Sequence, residues 1–199
     1  MIETHRLCLR GFREEDWQAI QTYSTDPEVL RYVPGDLPSE EETRRIIRCW
    51  MDGQTDNPPH YDFAITVHLE NFVIGWGCLQ ISSGDSRVGE LMYVLNRNFW
   101  KQGYATEAAQ AIIDYGFSKL QLHRIYATCR PENIGSWRVL EKVGMQREGL
   151  LRENVWIRGS WCNSYLYAIV DYEWKVQKNS SGAENFSPTQ GTPDGAGSR

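Results

Sequence analysis

The chain has no paired cysteines. Cys8, Cys49, Cys78, Cys129 and Cys162 stand singly and are odd in number, which argues against a disulfide framework or a thiolate zinc cluster and suits a reducing, cytoplasmic setting. Each is read as a small buried apolar residue, and no metal is expected. Nor is there an excess of positive charge. The 21 basic and 26 acidic residues give a net charge of -5 and a pI near 5.4, so nothing draws the chain toward nucleic acid or anionic lipid. No apolar stretch is long enough to span a bilayer, and Met1 to Arg6 lacks the apolar core of a signal peptide, so no membrane partner is expected. Internal repeats are also missing. What remains, 199 residues of which 41% are apolar, is enough for one sizeable core and one domain, as a monomer or a homodimer.

Leu7 and Leu9 alternate with polar neighbours between His5 and Arg10, which predicts a strand. Arg13-Glu14-Glu15-Asp16 then opens a helical arm carrying Trp17, Ile20 and Tyr23, broken at Asp26-Pro27. Ser39 with Glu42 reads as a capping box for a helix whose buried stripe is Ile46, Ile47, Trp50 and Met51. Asp56-Asn57-Pro58-Pro59 ends it, and His60, in the loop that follows, is read as a surface histidine. Alternating runs at Phe63 to Val67, Val73 to Ile81 and Glu90 to Leu95, punctuated by Glu70-Asn71 and by Ser82 to Asp85, predict a three-strand antiparallel meander.

A long helix stripe (Ala105, Ala108, Ala109, Ile112, Ile113, Gly116, Phe117) precedes a short buried strand at Ile125 to Cys129. A helix from Ser136 to Lys142 follows, stopped by Gly144 in a left-handed cap. Two strands meeting at Arg158-Gly159 close the domain. From Lys178 to Arg199 the residues are mostly Ser, Gly, Pro, Asn, Thr and acids, which predicts a disordered tail outside the fold.

Between the last meander strand and the long helix lies Trp100-Lys101-Gln102-Gly103-Tyr104-Ala105-Thr106-Glu107-Ala108. Small residues at a helix start leave backbone N–H groups open to a phosphate at the positive end of the dipole. A lone glycine before a helix is weak by itself, but the order of elements around it adds weight. With that order, the wording resembles the phosphate loop of the GNAT acetyltransferase superfamily, with Trp100 in place of the usual Arg or Gln. The run from Trp100 to Ala108 is similar to the RimJ/RimL-like ribosomal-protein N-acetyltransferases, as are Thr4 to Arg10, Glu90 to Leu95 and Pro131 to Met145, with Met92 standing where that branch has glycine.

The resemblance covers about residues 4–175. It implies an α/β domain with a mixed, mostly antiparallel seven-stranded sheet flanked by helices, whose central strands splay beyond Leu95. It also implies acetyl-coenzyme A as co-substrate, bound by Tyr93, Val94, Leu95, Gln102, Gly103, Tyr104, Ala105, Thr106 and Asn133, and an amine-bearing acceptor, a protein N-terminus or a small molecule. Glu90 is then either a strand-edge charge or a general base, and Ser136 either a solvated helix serine or the general acid. Tyr93 is expected to pack with its hydroxyl in the acceptor pocket. Trp161 stands near an acceptor mouth, and Asn163 replaces an aspartate common in the branch. A coenzyme A sensor without catalysis is the rival reading. A dinucleotide fold is disfavoured, because an antiparallel meander precedes a loop with one glycine.

Overall fold

A computed structural model describes residues 1–35, 37–52, 59–68, 72–85 and 87–183. Its strands are β1 (Ile2–Glu3), β2 (Leu7–Arg10), β3 (His60–Val67), β4 (Val73–Ile81), β5 (Val88–Leu95), β6 (Arg124–Cys129), β7 (Gln146–Ile157) and β8 (Ser160–Val170). The helices are α1 (Trp17–Ser24), α2 (Glu40–Asp52), α3 (Tyr104–Ser118), α4 (Ile134–Lys142) and α5 (Asp171–Ala183). One mixed sheet runs in the order β1-β2-β3-β4-β5-β6-β8-β7, with β5 and β6 its parallel pair. Among the described residues it has eight strands rather than seven, because Ile2 and Glu3 fold back onto Leu9 and Cys8 as a short edge strand.

Alternation divides the sheet into two faces. Ile65, Leu79, Leu91, Ile125 and Tyr167 pack with Ile112, Ile113 and Leu140 of α3 and α4. On the other face Ala64, Trp76 and Val94 pack with Ile20, Tyr23 and Ile47 of α1 and α2. The predicted capping box forms, Ser39 N–H donating to Glu42 Oε2 at 2.8 Å and Glu42 N–H to Ser39 Oγ at 3.3 Å. Met51, placed in the buried stripe of α2 by spacing, is exposed near the end of that helix, and Cys49 is exposed as well. The buried Arg10–Asp16 pair, two hydrogen bonds of 2.8 Å each, fastens the end of β2 to the 3-10 turn Glu14–Asp16 that starts the helical arm.

The strands β5 and β6 pair only at Val88↔Arg124, Gly89↔Ile125 and Glu90↔Tyr126. The splay therefore opens after Glu90, well before Leu95. From Leu91 onward β5 keeps β4 as its neighbour through Gly75↔Leu95, while β6 stays on β8 through Cys129↔Tyr165. At Gly75 a Cβ would overlap the Val94 carbonyl oxygen and the Leu95 side chain, so this close approach of β4 to β5 needs a glycine.

A further correction concerns the C-terminal half. The tail boundary expected at Lys178 falls inside α5, because Asp114 of α3 accepts hydrogen bonds from Trp174 Nε1 (2.7 Å) and Lys178 Nζ (2.6 Å), one helical turn apart. Residues 184–199 lie outside the described residues, as do the turn at Glu70-Asn71 and most of that at Asp56 to Pro59. Gly144 does adopt the left-handed cap, at φ 82°, and Arg158 and Gly159 turn the last hairpin at φ 45° and 82°.

Gly75→Ala should destabilise the fold by about 1–3 kcal/mol through overpacking against backbone. Urea denaturation checks this, and an unchanged midpoint would mean that β4 and β5 can part at this end at little cost.

Candidate active site

The loop before α3 is built on left-handed backbone at Lys101 (φ 60°) and Gly103 (φ 84°). The first i→i-4 bond of the helix is Glu107 N–H to Gly103 carbonyl, 3.0 Å, and no side chain caps Gly103. The N–H groups of Tyr104, Ala105 and Thr106 therefore precede the helical ladder and gather at the positive end of its dipole. Trp100, the departure from the phosphate-loop pattern, donates its indole N–H to the Leu95 carbonyl at 2.8 Å and ties the loop to the end of β5. Gln102 Nε2 donates to the Asn98 carbonyl at 3.0 Å.

Two residues given no role from sequence hold this loop in place. Glu107 Oε1 accepts from Thr4 Oγ1 and from the Arg6 backbone N–H, each at 2.7 Å, and Glu107 Oε2 pairs with Arg6 Nε at 2.7 Å. Arg6 Nη1 donates to the Gln102 carbonyl at 2.8 Å, and its guanidinium lies 4.4 Å from the centre of the Tyr104 ring. Partial burial pushes the Glu107 carboxyl up, but the hydrogen bonds from Thr4 and Arg6 outweigh it and hold the group below the usual glutamate range. The signal in the sequence is the run Thr4 to Arg10, which carries Arg6 just before Leu7 and Leu9 of the predicted strand.

Beyond Glu90 the edge of β5 that carries Tyr93 and Val94 has no β6 partner, so backbone groups on that edge face the gap. Leu95 is less available than expected, since its carbonyl is taken by Trp100, and the neighbouring Asn96 N–H donates to the Ile74 carbonyl at 2.8 Å. Asn133 caps α4, its Oδ1 accepting from Ser136 N–H at 3.2 Å. Tyr93 OH donates to the Ser136 carbonyl at 3.0 Å and lies 3.1 Å from Ser136 Oγ. Its hydroxyl is therefore on the α4 side of the sheet, not in a pocket beside Glu90, because Tyr93 and Glu90 are an odd number of residues apart on one strand. Burial raises the Tyr93 phenol well above its ordinary pKa and the Cys129 thiol to about 11, the latter eased by Ser136.

Glu90 sits where the strands part, half-buried, on the face of α1 and α2. Its carboxylate accepts from Tyr126 OH at 3.2 Å and Thr128 Oγ1 at 3.3 Å, both on β6. Glu90 and Ser136 thus stand on opposite faces, with the β5–β6 gap between them. At the rim, Arg158 donates to the carbonyls of Leu30 (3.0 Å) and Arg31 (3.2 Å), and Tyr32 OH to the Glu132 carbonyl at 3.3 Å, so the helical arm meets both the last hairpin and the approach to α4. Trp161 is exposed and packs edge-on against Trp156. Asn163 serves the hairpin itself, Oδ1 accepting Glu153 N–H at 2.9 Å where the β7–β8 register shifts. His60 is the first residue of β3 rather than a loop residue, and its side chain is 20% exposed.

The family model described as "Acetyltransferase (GNAT) domain" matches residues 6–146. The uncharacterized N-acetyltransferase YnaD of Bacillus subtilis is 39% identical over 173 residues, covering 87% of this chain and 98% of that protein. The spermidine N(1)-acetyltransferase of Escherichia coli is 27% identical over 95% of this chain and 99% of its own length. Among solved structures, a GNAT-family acetyltransferase from Bacillus anthracis superposes with a TM-score of 0.79 at 36% identity, covering 86% of this chain and 98% of that one. Mycobacterium smegmatis RimJ in complex with CoA-disulfide shares the fold, with a TM-score of 0.76 at 24% identity over 88% and 89% of the two chains.

Glu107→Gln is expected to cost about 1–2 kcal/mol of stability near neutral pH, the scale of a hydrogen bond to a charged group at a partly exposed site. The folded-state pKa of Glu107 is depressed, so its contribution is complete above the unfolded value of ~4.3 and is lost as pH falls through the folded one. The difference in urea midpoint between wild type and variant should therefore close on acidification from about pH 6 to pH 3. A difference that persists in acid would assign the effect to packing instead.

Proposed function

The chain belongs to the GNAT acetyltransferase family and is an acetyl-coenzyme A-dependent N-acetyltransferase, and from that premise we propose that it transfers the acetyl group directly to the α-amine of a protein N-terminus. The observation that carries the transfer reading is the gap that opens after Glu90, with that carboxylate on one face and the Tyr93–Ser136 pair on the other. The run from Trp100 to Ala108, worded like that of the ribosomal-protein branch, supports the acceptor. So does the chemistry, since an α-ammonium of pKa ~8 gives up its proton more readily than an aliphatic ammonium of ~10.

In this reading the open N–H groups of Tyr104, Ala105 and Thr106, next to Gln102 and Gly103, hold the pyrophosphate. Tyr93 and Val94 offer the free edge of β5 to the pantetheine arm, Leu95 lines its end, and Asn133 borders the sulfur end. Acetyl-coenzyme A supplies the thioester electrophile. Glu90 receives the acceptor ammonium at the mouth of the gap and accepts its proton directly or through water. Free backbone N–H groups of β5 stabilise negative charge developing on the carbonyl oxygen. Ser136, oriented by Tyr93, donates toward the departing sulfur. A polyamine acceptor is the second reading, favoured by the similarity of nearly the whole chain to a spermidine acetyltransferase.

Calorimetry with acetyl-coenzyme A, followed on the same sample by thiol release with N-terminal peptides and with spermidine, separates these readings. Release with free-α-amine peptides and not with their blocked forms supports the N-terminal acceptor. Release with spermidine alone replaces it with the polyamine, and binding without release on any amine would favour a sensor. Glu90→Gln combined with Ser136→Ala should lower kcat by about 100-fold or more while changing acetyl-coenzyme A affinity little. An unchanged kcat would remove both residues from the chemistry.

A further inference from the structure

Gly103 takes its left-handed φ of 84° at no steric cost, whereas Lys101, two residues earlier, takes φ 60° with a side chain in place. A loop bent in this way keeps its shape only if its surroundings hold it. Among the described residues, three side chains do so by donating to backbone carbonyls. The Trp100 indole reaches Leu95, the Gln102 amide reaches Asn98, and Arg6 Nη1 reaches Gln102. The first two tie the loop to the end of β5 and to the 3-10 turn Arg97–Phe99. The third comes from the turn between β1 and β2 and grips a peptide of the loop itself, the one joining Gln102 to Gly103.

In a trans peptide the carbonyl and the following N–H point in opposite directions. By holding the Gln102 carbonyl, Arg6 therefore turns the Gly103 N–H away from itself. Among the described residues no acceptor takes that N–H, which lies one residue ahead of the open donors of Tyr104, Ala105 and Thr106. Because residue 103 is glycine, opposed rotations on the two sides of this peptide meet little steric resistance. Unrestrained, the peptide could turn over and present its carbonyl oxygen to an anion in place of its N–H. The guanidinium that prevents this is itself fixed. Its Nε is bonded to Glu107 Oε2 at 2.7 Å, it lies 4.4 Å from the centre of the Tyr104 ring, and its Nη2 is 3.2 Å from the place a Cβ on Gly103 would occupy.

We propose that Arg6 is a positioning residue that aims the Gly103 N–H at the pyrophosphate and so sets the preference for acetyl-coenzyme A over an acyl donor that lacks phosphate. The inference rests on the reading that this loop holds the pyrophosphate, and deepens it. The role is one of direction more than of charge, since the Glu107 carboxylate already pairs with the guanidinium. A planar fork can bond a carboxylate along one edge and a carbonyl with another N–H while keeping both in fixed directions, which the single ammonium of a lysine cannot do. A donor already aimed at an anion needs no reorganisation when the anion arrives.

The test measures kcat/KM for acetyl-coenzyme A and for acetyl-pantetheine, on the acceptor that gives thiol release, in wild type, Arg6→Ala and Arg6→Lys. Alongside it, chain labelled with nitrogen-15 in glycine is titrated with inorganic pyrophosphate by NMR, and the same spectra report folding. Wild type should prefer acetyl-coenzyme A. In Arg6→Ala the ratio of the two kcat/KM values should fall about tenfold, the worth of one hydrogen bond to a charged group, with the loss for acetyl-coenzyme A in KM and not in kcat. Arg6→Lys, which keeps the charge and can keep the pairing with Glu107 if removal of the side chain prevents folding, should remain impaired. The Gly103 amide resonance should move with pyrophosphate in wild type and move less in both variants, a readout independent of turnover. A ratio and a Gly103 response unchanged in Arg6→Ala, or fully restored by lysine, would overturn the proposal and leave the phosphate-loop reading intact. A wild type with no preference for acetyl-coenzyme A and no loop glycine response to pyrophosphate would instead overturn the phosphate-loop reading, and this inference with it.

Discussion

Everything at the site depends on β5 having a neighbour on one side only after Glu90. A parallel pair that stayed closed would satisfy its backbone internally and leave no place for an extended ligand between the strands. The opening is held from both sides. Gly75 lets β4 approach β5 more closely than any side chain would allow, while β6 remains registered on β8 for its whole length. The phenol of Tyr93 reaches the first turn of α4 and couples the free edge of β5 to the helix that starts beyond β6. The gap is therefore a property of the packed sheet.

The phosphate end is fixed by a different device. A helix N-terminus is useful for binding only if it does not drift, and α3 is restrained by the carboxylate of its own first turn. Glu107 gathers Thr4 and Arg6 from the turn between β1 and β2, and Arg6 then reaches back to the Gln102 carbonyl. A single charged cluster thereby positions the loop, the helix start and the N-terminal strands together. It also brings the Arg6 guanidinium beside the segment proposed to meet a pyrophosphate.

Local signals were legible in the sequence where one residue decides them. The Ser39–Glu42 capping box, the left-handed Gly144 and the order of strands and helices all follow from short-range pattern. What escaped it was set by distant partners. Lys178 looked like the start of a tail because composition does not reveal Asp114 across the fold, and Ile2–Glu3 became a strand only because Leu9 and Cys8 were there to pair with. The place of the splay, at Glu90 instead of Leu95, depends on how long β6 accompanies β5, which no segment read alone contains. His60 illustrates the same point. It follows a proline pair and reads as loop, yet strand pairing with Gln80 turns it onto the face shared with Glu90.

In the proposed mechanism the two faces of the sheet also separate the two proton transfers that acetylation requires. Removing a proton from an ammonium and giving one to a thiolate are opposite tasks, and a base and an acid in direct contact would neutralise each other instead of acting on substrate. Here strand alternation sets Glu90 on the side of α1 and α2, and Tyr93 with Ser136 on the side of α4. The gap joins them only where the reacting carbonyl would lie. On the α4 side burial raises the pKa of the Tyr93 phenol and keeps that hydroxyl protonated and able to orient Ser136. In the proposed reaction one sheet thus keeps the proton acceptor and the proton donor on opposite faces.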